Sequence, residues 1–338
     1  MIIEELNNIL GKAPAFRMKQ AYKSVFQDLI TDWSENTTLP KETRADLKEA
    51  CSLDISVEFA DSKKSDALKA LIELEDGAKV ETVLLRHSDG RNTACISSQV
   101  GCSLGCKFCA TGMLGMERNL TVGEMVAQVL VFARYLKEKK AKHQRITNIV
   151  FMGMGEPMMN YQAVMETIRL LNNTDVFGIG ARHMSISTSG IIDGIEYLSN
   201  EPLQVNLAIS LHAPNDVLRS QLMPINRKYG IKDLMNSVKH YREKCGRRVM
   251  FEYIMLDGIN DAPEHARELA ELMQDKLYMV NLIRYNPTGV FKPSKAEKIE
   301  QFKRILQRSG VHVTQRHAFG SDINAACGQL ATKRNKKA

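Results

Sequence analysis

Cys102, Cys106 and Cys109 place three thiols within eight residues, on a stretch whose Gly101 and Gly105 can wrap the backbone around a compact object. Thiolates are soft ligands suited to iron and zinc. Three of them leave one iron of a 4Fe-4S cube without a protein sulfur, whereas electron carriers usually supply four. An open iron can bind a substrate. The competing chemistry is a closed zinc site completed by His87 or Cys95, although the spacing is not that of a two-pair zinc ribbon and no second pair follows. Four of the seven cysteines crowd between Cys95 and Cys109, and in a chain without an export signal such clustering points to metal or redox chemistry, not to a disulfide framework.

The elements that must position these residues alternate regularly. The hydrophobic pattern predicts strands at 93–98, 146–152, 183–187, 204–211, 248–255, 278–285 and 311–316, the first six each followed by a helix: 122–139, 161–172, 193–199, 231–244, 264–275 and 295–308. Repeated βα units with Val- and Ile-rich strands imply an α/β fold with a parallel sheet, doubly wound or curled into a barrel or partial barrel. Reactive groups in a barrel gather where strands end. Those ends carry Cys102 to Cys109, then Gly153, Gly155 and Glu156, then Ser187, then Ser210, Leu211 and His212, and finally Tyr285-Asn286-Pro287.

Taken singly, several of these residues have plainer readings. Gly153 and Gly155 could be a simple strand-to-helix turn, and His212 a satisfied structural histidine. Cys95 in an apolar strand and Cys327 beside Ala325-Ala326 could be small packing residues, Cys51 and Cys245 match no motif, and Glu81 reads as a solvated strand residue.

The three-cysteine spacing, with Phe108 just before the third cysteine, resembles the radical S-adenosylmethionine (SAM) superfamily. Further motifs narrow the resemblance: Cys95-Ile-Ser-Ser-Gln99-Val-Gly-Cys102, Met152-Gly-Met-Gly-Glu-Pro157, Ser210-Leu-His-Ala-Pro-Asn215, Leu222-Met-Pro-Ile-Asn226 and Asp322-Ile-Asn-Ala-Ala-Cys-Gly-Gln329. Together, from about Glu81 to Leu330, they look like the RlmN/Cfr group of RNA methyltransferases, which modify an adenine in the peptidyl-transferase centre of 23S rRNA. RlmN members also treat an adenine beside the anticodon of certain tRNAs.

This resemblance implies a partial (β/α)6 TIM-like barrel carrying a 4Fe-4S cluster on Cys102, Cys106 and Cys109, with SAM on the open iron. Gly155, Glu156, Ser187, Ser210, Leu211, His212 and Asn286 would contact SAM. Cys327 would accept a methyl group from one SAM, and a radical made from a second would activate that methyl. Cys95 would then resolve the protein–RNA thioether through a transient disulfide with Cys327, and Glu81 would remove the ring proton. RlmN members methylate carbon 2 of the adenine and Cfr members carbon 8, giving antibiotic resistance. Glu156-Pro157, Arg182-His183, Asn215-Asp216 and Asn226-Arg227 lean to carbon 2, whereas 281–287 and Phe319-Gly320 look more like Cfr. An RNA-binding module that has lost catalysis would need neither Cys95 nor Cys327. An activase or sulfur-inserting enzyme would be expected to carry extra cluster cysteines.

At 338 residues and 44% hydrophobic content the chain can bury a large core. Its net charge of +7 suits a polyanionic partner. Arg118, Arg182, Arg219, Arg227, Arg284 and Arg316, near the predicted rim, could meet RNA phosphates. The longest apolar stretches fall well short of the ~20 residues of a membrane span. Residues 1–78 read as a small, mainly helical N-terminal domain, 79–330 as the core with a β extension at its start, and 331–338 as a basic tail. The expected protein is a cytoplasmic monomer reduced by a donor such as flavodoxin with its reductase, with no membrane partner.

Overall fold

In the computed structural model, which describes residues 2–316 and 319–331, helices α1 (Ile2–Leu10), α2 (Ala15–Tyr22) and α3 (Lys41–Ala50) open the chain. Ile2, Ile3, Leu6 and Leu10 fall on one face of α1 and are all buried. An antiparallel run follows: β1 (Ser56–Asp61), β2 (Ala67–Glu73), β3 (Lys79–Arg86) and β4 (Asn92–Cys95). Next come a hairpin of β5 (Gln99–Cys102) and β6 (Gly115–Asn119), with the short helix α4 (Ala110–Leu114) in its loop, and then α5 (Val122–Glu138).

The remainder alternates: β7 (Asn148–Phe151), α6 (Tyr161–Asn172), β8 (Met184–Thr188), α7 (Ile192–Ser199), β9 (Asn206–Ser210), α8 (Asp216–Leu222), α9 (Ile231–Cys245), β10 (Val249–Met255), α10 (Pro263–Leu272), β11 (Tyr278–Arg284), α11 (Ala296–Arg308) and β12 (His312–Gln315). Ten strands form one sheet in the order β1-β2-β3-β4-β7-β8-β9-β10-β11-β12. From β4 to β12 every pairing is parallel. With β1 and β12 both at edges the sheet stays open, so the parallel part is a partial barrel and the expected α/β class holds.

Local chemistry explains several boundaries. Thr121 and Glu124 form a capping box at the start of α5, Pro263 opens α10, and Gly246 ends α9 in a left-handed conformation. Helix α5 packs against α1, α6 and β4, which explains a sequence apolar on more than one face. Among the described residues no helix is long and apolar enough to cross a membrane.

The N-terminal region differs from expectation in one respect: its helical part ends at Ala50, and β1 and β2 extend the same sheet as the core. Strand β1 is an edge strand without a fully buried residue, so it lacks an alternating apolar pattern. The Ala-Leu-Lys-Ala-Leu-Ile-Glu of β2 is rich in helix formers, and pairing with β3 overrides that propensity. Helix α8, capped by the Asn215 side chain on the Leu218 N–H, is too short to show periodicity. The basic tail from Thr332 onward lies outside the described residues.

Candidate active site

Strand β5 delivers Cys102 to the head of a tight loop, and β6 pairs back on it with a bulge at Val100/Gly101. Gly101 has φ +78, and a Cβ there would lie 1.9 Å from the Gly115 carbonyl oxygen, so no other residue fits. The loop is anchored from two distant parts of the chain. Lys107 N–H donates to the Leu222 carbonyl at the end of α8 (3.0 Å). Ala110 N–H donates to the Gly328 carbonyl (2.8 Å), and Thr111 Oγ1 to the Leu330 carbonyl (2.6 Å).

Those last two bonds bring Cys327 to the three cysteines across more than two hundred residues of sequence. The C-terminal segment is pinned further by Asn286 Nδ2 on the Cys327 carbonyl (3.3 Å) and Gln329 Nε2 on the Pro287 carbonyl (3.2 Å). Cys95, at the end of β4, lies between Val83 of β3 and Val150 of β7. Cys95, Cys102, Cys106, Cys109 and Cys327 all line one pocket with about 1450 Å³ of empty space, its mouth included. All seven cysteines are free, so no standing bond joins Cys95 to Cys327.

Burial pushes the Cys95 thiol up to about 12 and that of Cys102 to about 11, and raises Cys106 further still. Cys327 is also raised by the protein mass around it, although its surface is exposed to the pocket. Among the described residues no three His, Cys, Asp or Glu side chains are grouped closely enough to hold a single metal ion. Three soft thiols around an open pocket, on a loop kept tight by glycine, fit a larger inorganic group with an accessible corner.

The strand ends supply polar groups to the same pocket. Glu156 is 2% exposed, and its carboxylate accepts from Ser189 N–H (2.7 Å) and Met158 N–H (3.1 Å). Burial still raises this carboxyl, against the pull of those donors. Gly155 is at φ +98 with a notional Cβ 2.5 Å from Gln99 Cβ, and a Cβ on Gly153 would meet Ser97 Oγ at 2.6 Å. Both glycines therefore serve the close packing of this turn on 96–99, whatever ligand it meets. Gln128, which no sequence motif contains, clamps that stretch from α5 by bonding both the N–H and the carbonyl of Ser97.

Ser187 and Ser210 approach hydroxyl to hydroxyl (3.4 Å). His212 has φ +57, stacks edge-on against Phe108, and accepts the Ile254 N–H at Nδ1 (3.1 Å), which leaves its proton on Nε2. Burial depresses it to about 3, with Arg219 adding to the effect, so the ring is neutral.

Two expected site residues lie elsewhere. The Leu211 side chain is buried in the core and does not line the pocket; only its backbone borders the strand end, its carbonyl accepting from Arg219 Nε (3.1 Å). Glu81 lines a neighbouring cavity, where one carboxylate oxygen pairs with Lys69 (2.9 Å) and the other accepts the Ala331 N–H (2.7 Å).

The rim arginines also divide. Arg118 is held by Asp76 (2.6 Å) and Glu124 (2.7 Å), and Arg182 donates to Gln204. Arg219 is fully buried, so it cannot meet phosphate. It ties the ends of β8 and β9 to the segment after α8, donating to the carbonyls of Ser189, Ser210 and Leu211 and to Asn226 Oδ1. Its loss would strand these acceptors in a buried site, so Arg219→Met is expected to destabilise the fold by about 3–5 kcal/mol in urea unfolding. Arg316 and Glu252 complete the pocket wall. In the sequence Glu252 is legible only as a carboxylate interrupting the apolar run of β10.

Residues 96–273 match the model of the Radical SAM superfamily. A protein described as "Probable dual-specificity RNA methyltransferase RlmN" from Dictyoglomus thermophilum is 45% identical over 97% of this chain and 94% of its own. A relative of the same description from Thermotoga sp. (strain RQ2) is 47% identical over 95% of this chain and 92% of its own. The crystal structure of a radical SAM methyltransferase from Sphaerobacter thermophilus superimposes with a TM-score of 0.92 at 43% identity, covering 98% of both chains.

Proposed function

The chain belongs to the radical SAM superfamily and, within it, to the RlmN-type RNA methyltransferases, and from that membership we propose that it methylates carbon 2 of an adenine in 23S rRNA and of the adenine beside the anticodon of tRNA, through a methyl group carried on Cys327. The observation that carries the reading is the docking of the Cys327 segment on the three-cysteine loop through Ala110 and Thr111. A ring carbon flanked by nitrogens is electron-poor and cannot displace a sulfonium methyl, but a thiolate can. The Cys327 lone pair forms the new S–C bond as the methyl–sulfonium bond breaks, and its electron pair leaves on the sulfur of S-adenosylhomocysteine.

Cys102, Cys106 and Cys109 would hold a 4Fe-4S cluster, which together with SAM supplies a carbon-centred radical when bound. Gly155, Glu156, Ser187, Ser210, His212 and Asn286 would bind SAM, Glu156 receiving its ammonium and neutral His212 donating from Nε2. Cys95 would attack the Cys327 sulfur, forming an S–S bond as the S–C bond breaks, with the electron pair passing to the carbon, which takes a proton. Glu81 could act as base for the ring proton only after the Ala331 N–H releases its oxygen, so this role calls for a shift of the C-terminal segment. Residues 1–78 and the basic tail would recognise RNA shape and phosphate, and a flavodoxin with its reductase would supply electrons to a cytoplasmic monomer.

Mass spectrometry of nucleosides from rRNA and tRNA fragments of a strain lacking this protein tests the reading. The expected result is loss of 2-methyladenosine and its return on complementation. Return of 8-methyladenosine would move the chain to Cfr-type chemistry, and unchanged RNA would end the proposal.

A further inference from the structure

The described part of the segment that carries Cys327, 319–331, is irregular apart from the single turn Ser321–Ile323, and it bends through left-handed residues at Gly320, Asn324 and Gly328. With no ladder of its own, its position is set by contacts with other parts of the chain. Downstream of Cys327 its partners are the cysteine loop, Pro287 and Glu81. Upstream, Asp322 and Gly320 reach the β1–β2 hairpin. The Asp322 carboxylate accepts from Ser62 Oγ (2.8 Å) and from the Lys63 N–H (2.8 Å), and Asp66 Oδ1 accepts the Gly320 N–H (3.4 Å). Ser62 is 3% exposed, and its Oγ accepts the Lys64 N–H (3.2 Å), which leaves the hydroxyl proton for Asp322. A Cβ on Gly320 would lie 2.8 Å from Ala67 Cβ, so the segment packs directly on the start of β2. Yet none of the described residues of the β1–β2 hairpin lines the pocket that holds the five cysteines.

We propose that Asp322 is a positioning residue for Cys327: clasped by Ser62 and Lys63, it fixes the upstream end of the segment that presents the thiol to the cysteine loop. The inference rests on the reading of Cys327 as methyl acceptor. Cys327 lies five residues beyond Asp322. Between them Ala325 and Ala326 are buried, and the Ala325 N–H closes a turn on the Gly320 carbonyl (3.0 Å), so a shift at the carboxylate is carried on to the sulfur. Two bonds to one ionised carboxylate also hold more firmly than neutral ones. Methyl transfer needs the sulfur in line with the methyl–sulfonium bond, and a misplacement of about 1 Å costs about 10²-fold in rate. The β1–β2 hairpin thereby acts on the chemistry without touching the reacting groups.

The test compares the anaerobically reconstituted full chain with Asp322→Ala, Ser62→Ala and the double variant, by transfer of labelled methyl from SAM to Cys327 and by hydrogen exchange read on peptides. Asp322→Ala is expected to slow the transfer by about 10–100-fold with iron per chain unchanged, and Ser62→Ala by less, since the Lys63 bond remains. The double variant should lose no more than Asp322→Ala, because both side chains act through one contact. Exchange across 321–331 should quicken in Asp322→Ala while that across β7 to β11 stays as in the wild type. Unchanged exchange at 321–331 overturns the proposal, as does quickened exchange there with transfer at the wild-type rate. Exchange that quickens throughout the chain also overturns it, because Asp322 would then serve general stability. If Asp322→Ala does not fold, Ser62→Ala decides by the same two measurements. Exchange requires no methyl transfer, so a wild-type protein that leaves Cys327 unlabelled would sink the acceptor reading, whereas the exchange result reports on the anchor by itself.

Discussion

Cys327→Ala is expected to reduce RNA methylation by on the order of 10⁴-fold or more, because the pocket's other thiol outside the three-cysteine loop, Cys95, is buried in the end of β4 and is needed for the resolving step of the proposed mechanism. Iron content should remain that of the wild type, since Cys327 would not ligate the cluster and its segment is fixed mainly through backbone bonds to Ala110, Thr111 and Asn286. Cys95→Ala differs in kind. With the acceptor intact and the resolving thiol gone, the RNA should accumulate as a covalent adduct of the protein, visible as a slowly migrating, ribonuclease-sensitive band. Full methylation by Cys327→Ala would discard the carrier mechanism while leaving the fold untouched.

Cys106→Ala is expected to abolish both iron binding and activity, the latter again by on the order of 10⁴-fold or more. Cys106 is buried with Phe108, Leu222 and Met223 in a small apolar cluster beneath the loop, so the truncated side chain leaves room but supplies no ligand. The protein should still fold, because the large core does not pass through this cluster. Iron per chain after anaerobic reconstitution, beside a circular dichroism spectrum, separates the two effects. A full iron complement in Cys106→Ala would refute the ligand assignment.

Arg219 and Arg316 show why charge in a sequence does not reveal its use. Both are arginines near the rim by sequence, where a phosphate contact is the natural expectation. Yet Arg219 is enclosed by four acceptors from three segments, and burial lowers it to about 10 without neutralising it at physiological pH. Which arginine faces solvent depends on loops that meet only after the strands have aligned, and no local pattern encodes that.

Local order along the chain did determine a great deal. The three-thiol spacing marked the proposed ligand set, the alternation of Val- and Ile-rich strands with amphipathic helices defined a parallel α/β sheet, and the strand-end positions of Glu156, Ser187, Ser210, His212 and Asn286 placed them on one rim, since side-chain periodicity is a property of neighbours. Tertiary structure alone decided that Cys327 would sit against the cysteine loop, that Glu81 would hold Ala331 instead of lining the pocket, that Leu211 would point into the core, and that β1 and β2 would join the sheet. These outcomes depend on contacts between residues far apart in the chain, whose energies arise from burial and hydrogen bonding once the sheet has formed, and such contacts leave no trace in the spacing of the residues that make them.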